Sequence, residues 1–282
     1  MDGIFLISKP AGVTSRDVVN KMIKKFHFKK MGHVGTLDPF ATGLLVVVAG
    51  KATKAAPFLE KSDKHYIATL KLGIKTDTLD LDGKVIDEKP VPKLNKKMVS
   101  KVLHSFVGKL EQLPPMYSAV KCNGIPLYKL ARSNIEIDRK LRTIEIYNVR
   151  LLKVEGDLIR FSVDCSKGTY IRTFGEQIAE KLNTVGHLVS LKRTRVGKFD
   201  LKSAHTVKTV RLDDKINCVD ALSYMDTVQV DDVTKKNIMD GKTIVLDEGH
   251  DDLVLFIDKE KNVLSIYEKI NDATYKCVRG LF

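Results

Sequence analysis

The sequence predicts an α+β protein, with helices set against a strand-rich middle and a smaller strand-rich unit after it. Three observations carry this. Residues 15–30 repeat apolar side chains at helical spacing, with Val18, Val19, Met22, Ile23 and Phe26 on one face and Lys21, Lys24, Lys25 and Lys29 largely on the other. Farther on the period drops to two: Tyr66, Ala68, Leu70 and Leu72 alternate with Ile67, Thr69 and Lys71, and Phe161, Val163 and Cys165 alternate with Ser162, Asp164 and Ser166. Short strand-like runs return at residues 243–246, 253–257 and 263–267, beyond a stretch near 220–230 where the balance of charge changes sign. We therefore expect a main domain over residues 1–224 and a small one over 225–282.

Between these elements, Asp82-Gly83 and Asn123-Gly124 are hairpin-type turn signals, and Leu113-Pro114-Pro115-Met116 interrupts regular structure before the second. After Cys165, the segment Gly168-Thr169-Tyr170-Ile171-Arg172 is expected to continue extended, with a helix over residues 174–182. On a strand, Tyr170 and Arg172 would face the same way.

A chain of 282 residues can hold one large domain, or one large and one small, around a sizeable core. Its net charge of +13 is lopsided: residues 225–282 carry 8 Lys plus Arg against 12 Asp plus Glu, which leaves +17 on the first 224. Such a basic surface fits a polyanionic partner and also plain solubility. Cys122, Cys165, Cys218 and Cys277 lie far apart without a C-x-x-C pair, which argues against a zinc site or a disulfide framework, and the seven histidines show no metal-ligand spacing. The first ten residues offer a short apolar run broken by Lys9 and Pro10. No window approaches the roughly 18 apolar residues of a membrane span, so a cytoplasmic protein is expected.

The most informative tract is Gly32-His33-Val34-Gly35-Thr36-Leu37-Asp38-Pro39-Phe40-Ala41-Thr42-Gly43-Leu44-Leu45. Glycines relieve the limits on backbone angles, while Pro39 fixes its own φ and pushes Asp38 out of the helical region. The apolar run 44–49 reads as a buried strand that anchors the loop at its exit. Asp before Pro also caps turns, so the tract alone leaves a catalytic and a turn-capping carboxylate both open. The lysine face of the first helix leads into this loop; it is either simply solvated or a guide for phosphates toward Asp38. Residues 43–51 imitate a phosphate loop, but six residues separate Gly43 from Gly50 and Ala52 replaces the required Ser or Thr.

An ordered carboxylate, an Arg with a neighbouring Tyr, a second Tyr on an apolar strand face and a basic surface converge on nucleic-acid chemistry. An Arg beside Asp38 would pair with it and aim it. Aromatic rings can stack on an extruded base, at roughly 1–3 kcal/mol per base. Taken singly, Tyr66 and Tyr170 also read as core residues and Arg172 as a structural ion pair.

The Asp38 tract, with Ala41-Thr42-Gly43, resembles the catalytic motif of bacterial tRNA pseudouridine-55 synthases, the TruB family. Further blocks resemble that family in the same order. They are Ile7-Ser8-Lys9-Pro10-Ala11-Gly12; Leu72-Gly73 through Thr76-Asp77-Thr78 to Asp80 and Gly83; Gln112-Leu113-Pro114-Pro115-Met116-Tyr117-Ser118 to Gly124, with Tyr128-Lys129-Leu130-Ala131-Arg132; Cys165-Ser166-Lys167-Gly168-Thr169-Tyr170-Ile171-Arg172-Thr173; and Gly186-His187-Leu188 to Leu191-Lys192-Arg193. Together they cover about residues 4–197.

The resemblance implies the pseudouridine synthase fold, a mixed and largely antiparallel central sheet with flanking helices and a cleft across its middle, followed by a small PUA-like β-domain. It implies isomerisation of uridine 55 in the T loop of tRNA, with no cofactor and no metal. The T arm of tRNA would be the partner of a monomer that needs no protein partner. Asp38 would be the nucleophile, by attack at the sugar or by proton removal leading to a glycal. Tyr66 would stack on the target base and act in proton transfer, and Arg172 would pair with Asp38. Tyr170 and Leu191 would line the pocket of the flipped uridine, and His33 would fill the space that nucleotide leaves. Lys9 is carried with this substrate-binding set, although with Pro10 it is expected to support the catalytic loop more than to touch substrate.

A mobile thumb is expected over about residues 124–152. Two departures stand out: Ser133-Asn134 replaces a pair ending in Gly, where Asn tolerates positive φ, and the acidic carboxy-terminal part is the weaker match. The rival reading is a non-enzymatic RNA-binding protein, such as a tRNA-folding chaperone.

Overall fold

The computed structural model describes residues 2–133, 135–247 and 249–281; Asn134, expected to ease the thumb turn, lies outside the described residues. The chain opens with β1 (Gly3–Lys9), α1 (Ser15–Phe26), β2 (Met31–Val34) and β3 (Thr42–Ala49). α1 starts at a capping box, in which the Thr14 hydroxyl accepts from the Asp17 amide and the Asp17 carboxylate accepts from the Thr14 amide. His27 ends it in the left-handed conformation, at φ 58°. The helix is thus shorter than its lysine pattern predicts. Lys29 and Lys30 fall outside it, and a strand, β2, stands where a direct lead into the loop was expected.

Next come α2 (Ala56–Glu60), β4 (Lys64–Leu72), the hairpin β5 (Ile74–Thr76) and β6 (Val85–Glu88), α3 (Lys96–His104) and β7 (Gly108–Gln112). Asn123 at φ 49° and Gly124 at φ 81° turn a second hairpin, β8 (Lys121–Cys122) and β9 (Ile125–Pro126), as Asn-Gly requires. After α4 (Leu127–Arg132), the chain re-enters the sheet as β10 (Arg142–Glu155), paired with β7 on one side and with β11 (Leu158–Cys165) on the other. The excursion expected over 124–152 therefore ends before Arg142, because residues 142–152 are committed to ladder hydrogen bonds. α5 (Ile171–Lys181), β12 (Gly186–Val196) and β13 (Phe199–Asp200) complete this part.

The main sheet runs β1-β3-β12-β4-β11-β10-β7, with β2 on β3 and β13 on β12; every pairing is antiparallel except β3 with β12. Its apolar strands are two-sided. Leu45, Val47 and Ala49 of β3 enter a core with α1, α3 and α5, while Leu44, Val46 and Val48 enter another with α2. That is why residues 44–49 read as continuously apolar. β4 alternates as expected, with Tyr66, Ala68, Leu70 and Leu72 buried in the first core.

The carboxy-terminal part holds α6 (Cys218–Ala221), β14 (Asp226–Gln229), α7 (Asp232–Met239), β15 (Ile244–Val245), β16 (Leu253–Ile257), β17 (Val263–Lys269) and β18 (Thr274–Gly280). Its sheet runs β14-β16-β17-β18-β15. One face, with Leu255, Ile257 and Ile266, packs into the second core beside Ile4 and Val46; the other packs Val254, Phe256 and Tyr267 against Ile238 of α7. Apolar packing is thus continuous across residue 225. Among the described residues no helix is long and apolar enough to cross a membrane.

One topological detail positions the site. β3 pairs with β12 only at Thr42 and Gly43; from Val46 onward β2 takes that edge. Residues 35–41, which join β2 to β3, fill the fork between the diverging strands.

Candidate active site

The loop at the fork is tied down from below. The buried Ser15 hydroxyl accepts from the Leu37 amide at 2.9 Å and donates to the Leu37 carbonyl at 3.0 Å. The Gly12 amide donates to the Pro39 carbonyl at 2.9 Å, and the Lys9 ammonium donates to the carbonyls of Pro10, Val13 and Pro39 at 2.9, 2.7 and 3.2 Å. Leu37 and Phe40 are buried, pinning the loop on either side of Asp38. Lys9, only 1% exposed, is a strut under the loop and does not line the cleft above it. Burial lowers its pKa to about 8, and the nearby Arg193 acts in the same direction.

Held this way, the Asp38 side chain stays 31% exposed and opens into a cleft of about 1100 Å³, more room than a single small ligand needs. Arg172 approaches it in a paired geometry, with Nε 3.0 Å from Oδ2 and Nη2 3.2 Å from Oδ1. Arg172 is not on a strand. β11 stops at Cys165, Gly168 reverses the chain at φ 80°, and α5 begins at Ile171, so Arg172 sits in the first turn of a helix with Tyr170 as its extended N-cap. Both still line the same cleft.

The guanidinium is fixed on its far side by the carbonyls of Thr78 at 2.8 Å and Tyr117 at 2.6 Å, and lies 3.5 Å from the Asp80 carboxylate. Asp80 is itself held by the Thr78 hydroxyl at 2.6 Å. Burial raises the Asp80 pKa, with the Thr78 hydrogen bond and Arg172 opposing. The Thr76–Gly83 block, legible in the sequence as a motif, thus serves to seat Arg172. Gln112 plays a comparable part for Tyr170, accepting from its amide at 2.7 Å and donating to its carbonyl at 3.1 Å. Sequence reasoning gave neither Asp80 nor Gln112 a role; their places within the matched motifs were the available signal.

Tyr66, buried on β4, presents its ring to the cleft beside Leu191. Burial pushes its phenol above the ordinary value, and the charge of Arg193 pulls it back. Burial likewise raises Tyr170. His33, half-buried on β2 at the cleft edge, has a buried Nδ1 without a hydrogen-bond partner among the described residues, and burial lowers its pKa, assisted by Arg16 and Arg193. Six of the seven expected residues, Asp38, Tyr66, Arg172, His33, Tyr170 and Leu191, therefore line one cleft; Lys9 lies beneath it.

A rigid carboxylate aimed by a guanidinium, next to a phenol and an aliphatic side chain, suits a planar base attached to a sugar. Arg16, Lys61, Arg132, Arg142 and Lys167 around the cleft suit a polyanionic backbone.

Residues 23–171 match the TruB family pseudouridylate synthase, N terminal domain. The chain is 42% identical over 271 residues to tRNA pseudouridine synthase B of Hydrogenovibrio crunogenus, covering 95% of this chain and 89% of that protein. It is 38% identical over 282 residues to the same-named protein of Mesoplasma florum, covering 99% and 97%. A solved chain in a Cbf5-Nop10-Gar1 complex superposes with a TM-score of 0.75 at 23% identity, over 99% of this chain and 85% of that one, which shows the shared fold. A chain of an H/ACA RNP bound to a substrate RNA containing 2'-deoxyuridine does so at 0.72 and 20%, with the same coverage. Matched over more than half its length by the family description, and nearly end to end by relatives so named, the chain belongs to the TruB family of pseudouridylate synthases.

Proposed function

We propose that this enzyme, a tRNA pseudouridine synthase, isomerises uridine 55 in the T loop, using Asp38 as nucleophile and acting as a cytoplasmic monomer without a cofactor. The observation that carries the reading is the Asp38 carboxylate, aimed by Arg172 into the same cleft as Tyr66 and Leu191. Isomerisation breaks the bond from N1 to C1′, turns the base, and joins C5 to C1′. Asp38 can serve by attack at C1′ or by taking a sugar proton.

Tyr66 stacks on the base and accepts the proton that C5 loses. Tyr170 and Leu191 close the pocket, and His33 takes the room left by the extruded nucleotide. Extrusion costs a few kcal/mol and less from a loop than from a duplex, which favours a T-loop target. Residues 1–224 carry the chemistry, and residues 225–282 add to the grip on tRNA.

The test is pseudouridine mapping by carbodiimide labelling and primer extension on an unmodified tRNA transcript, with wild type and Asp38→Asn. A single new stop reporting position 55, absent with the variant, is expected. Tight tRNA binding without modification would instead favour the chaperone reading.

A further inference from the structure

Arg193 is 1% exposed, yet both acceptors of its hydrogen bonds are neutral: the Leu44 carbonyl takes Nε at 2.8 Å and the Gly35 carbonyl takes Nη2 at 2.9 Å. Among the described residues it forms no ion pair with a carboxylate, unlike Arg172 and Arg195. A buried charge without a paired counter-charge is expensive, so its place calls for a reason.

Its register supplies one. Arg193 on β12 pairs with Gly43 of β3 on one side and with Tyr66 of β4 on the other. Its two acceptors, Gly35 and Leu44, bracket the Asp38 loop. A side chain at Gly43, which adopts φ 104°, would collide with the Arg193 backbone. One residue therefore clamps both ends of the aspartate loop and stands beside the tyrosine.

The other basic groups around it hold their protons less firmly than they would in water. Lys9 from β1, His33 from β2 and Lys64 from β4 are each pushed toward the neutral form, first by burial and then partly by Arg193 itself. Arginine does not give up its proton in a protein. On the other side, the Tyr66 phenol is faced by Arg193, by Cys165 of β11 and by Asp38; of these only Arg193 favours the ionised phenol.

We propose that Arg193 is a positioning residue for the isomerisation, holding the Asp38 loop in place while setting a fixed positive charge behind the Tyr66 oxygen to stabilise the phenolate that accepts the C5 proton. This rests on the proposed function. In the step concerned the C5–H bond breaks, its electron pair forms the C5–C6 double bond and displaces electrons onto N1, and the proton passes to the Tyr66 oxygen. N1 takes a proton from solvent and the phenol later returns one, so no net proton is consumed.

The experiment compares single-turnover pseudouridine formation in tRNA across pH for wild type, Arg193→Lys and Arg193→Met, each with tyrosine or the more acidic 3-fluorotyrosine at position 66. We expect Arg193→Met to lower the rate by about ten- to a hundred-fold, from a phenol made about 1–2 pH units harder to ionise, with tRNA affinity within about threefold. The deficit should shrink as pH rises, and among the fluorotyrosine proteins the rate should level off at a pH about 1–2 units higher for Arg193→Met than with Arg193 in place. An unchanged rate, or the same levelling pH in both fluorotyrosine proteins, would overturn the proposal and leave Arg193 a loop clamp only.

Should Arg193→Met fail to fold, Arg193→Lys decides: a levelling pH displaced from that of the fluorotyrosine protein with Arg193 in place supports the coupling, and an identical one refutes it. If wild type itself makes no pseudouridine, the proposed function fails. The ¹⁹F resonance of fluorotyrosine at 66, titrated in wild type and Arg193→Lys, still reports whether the guanidinium controls that phenol.

Discussion

Arg172→Lys probes the centre of the site most directly. The guanidinium meets both Asp38 oxygens at 3.0 and 3.2 Å and both the Thr78 and Tyr117 carbonyls at 2.8 and 2.6 Å. An ammonium on a flexible stem is a single point charge and cannot span that set. At least two hydrogen bonds of a charged group are lost, at roughly 1.5–3 kcal/mol each, or about 3–6 kcal/mol in all. The Arg172 side chain is only 5% exposed, which keeps it from phosphates of a bound RNA. The loss must therefore fall on the aim of Asp38 and on the fold. If the lower figure falls on the barrier, at 1.36 kcal/mol per tenfold, the rate drops on the order of 100-fold. Single-turnover pseudouridine formation, with tRNA affinity measured in parallel, reads this directly. A variant within fivefold of the wild-type rate, or one whose deficit is entirely weaker tRNA binding, would refute the reasoning.

Three further outcomes are expected. Gly43→Ala should cost at least twice what Gly12→Ala costs in urea denaturation, since both glycines have positive φ, at about 1–3 kcal/mol of strain, but only Gly43 lacks room for a Cβ; equal costs would count against the close β3–β12 approach. Asp80 has a folded pKa raised above 3.8 by burial, so the stability it contributes is present in acid and is lost as pH rises through its folded value. Asp80→Asn should therefore gain stability relative to wild type between pH 4 and 7, and a flat or opposite difference in melting temperature would show that its pairing with Arg172 outweighs burial. Deleting residues 226–282 removes Leu255, Ile257, Ile266 and Leu281 from the second core, at about 1.5–3 kcal/mol for each buried side chain uncovered. This is a large part of the roughly 5–15 kcal/mol that keeps a domain folded, so circular dichroism should show early melting or no cooperative transition, and an unchanged melting temperature would show that residues 2–225 fold alone.

What was legible in the sequence followed from local periodicity. The alternation of β4, the apolar run of β3 and the turn at Asn123-Gly124 are all decided by neighbours in the chain, and they stand as read. Errors arose where tertiary contacts decide. Arg172 reads as extended because Tyr170 and Ile171 favour strands, but Gln112, 58 residues away, takes both backbone groups of Tyr170 and starts a helix there. The lysines at 29 and 30 continue the helical pattern, yet the strand pairing of β2 with β3 claims the chain from Met31. Weakly patterned β14, α7 and β18 gave no signal, since short strands and an eight-residue helix are held by packing on β16 and β17. Asp80 and Arg193 were hidden for another reason: their roles depend on which distant side chain each one faces.

The fork between β3 and β12 explains why stability and chemistry are hard to separate in this protein. A loop that presents a part-exposed carboxylate would ordinarily be mobile at the surface. Here residues 35–44 are tied by Lys9 of β1, Gly12 of the β1–α1 turn, Ser15 of α1, Arg172 of α5 and Arg193 of β12, five positions from distinct elements. Three of the five ties come from buried cations, and burying them opposes folding. The two apolar cores on either face of β3 offset that cost, because nearly every side chain of the strand is packed on one face or the other. What results is a carboxylate whose direction is set before substrate arrives, which is the arrangement that lets an enzyme avoid reorganisation at the moment of reaction.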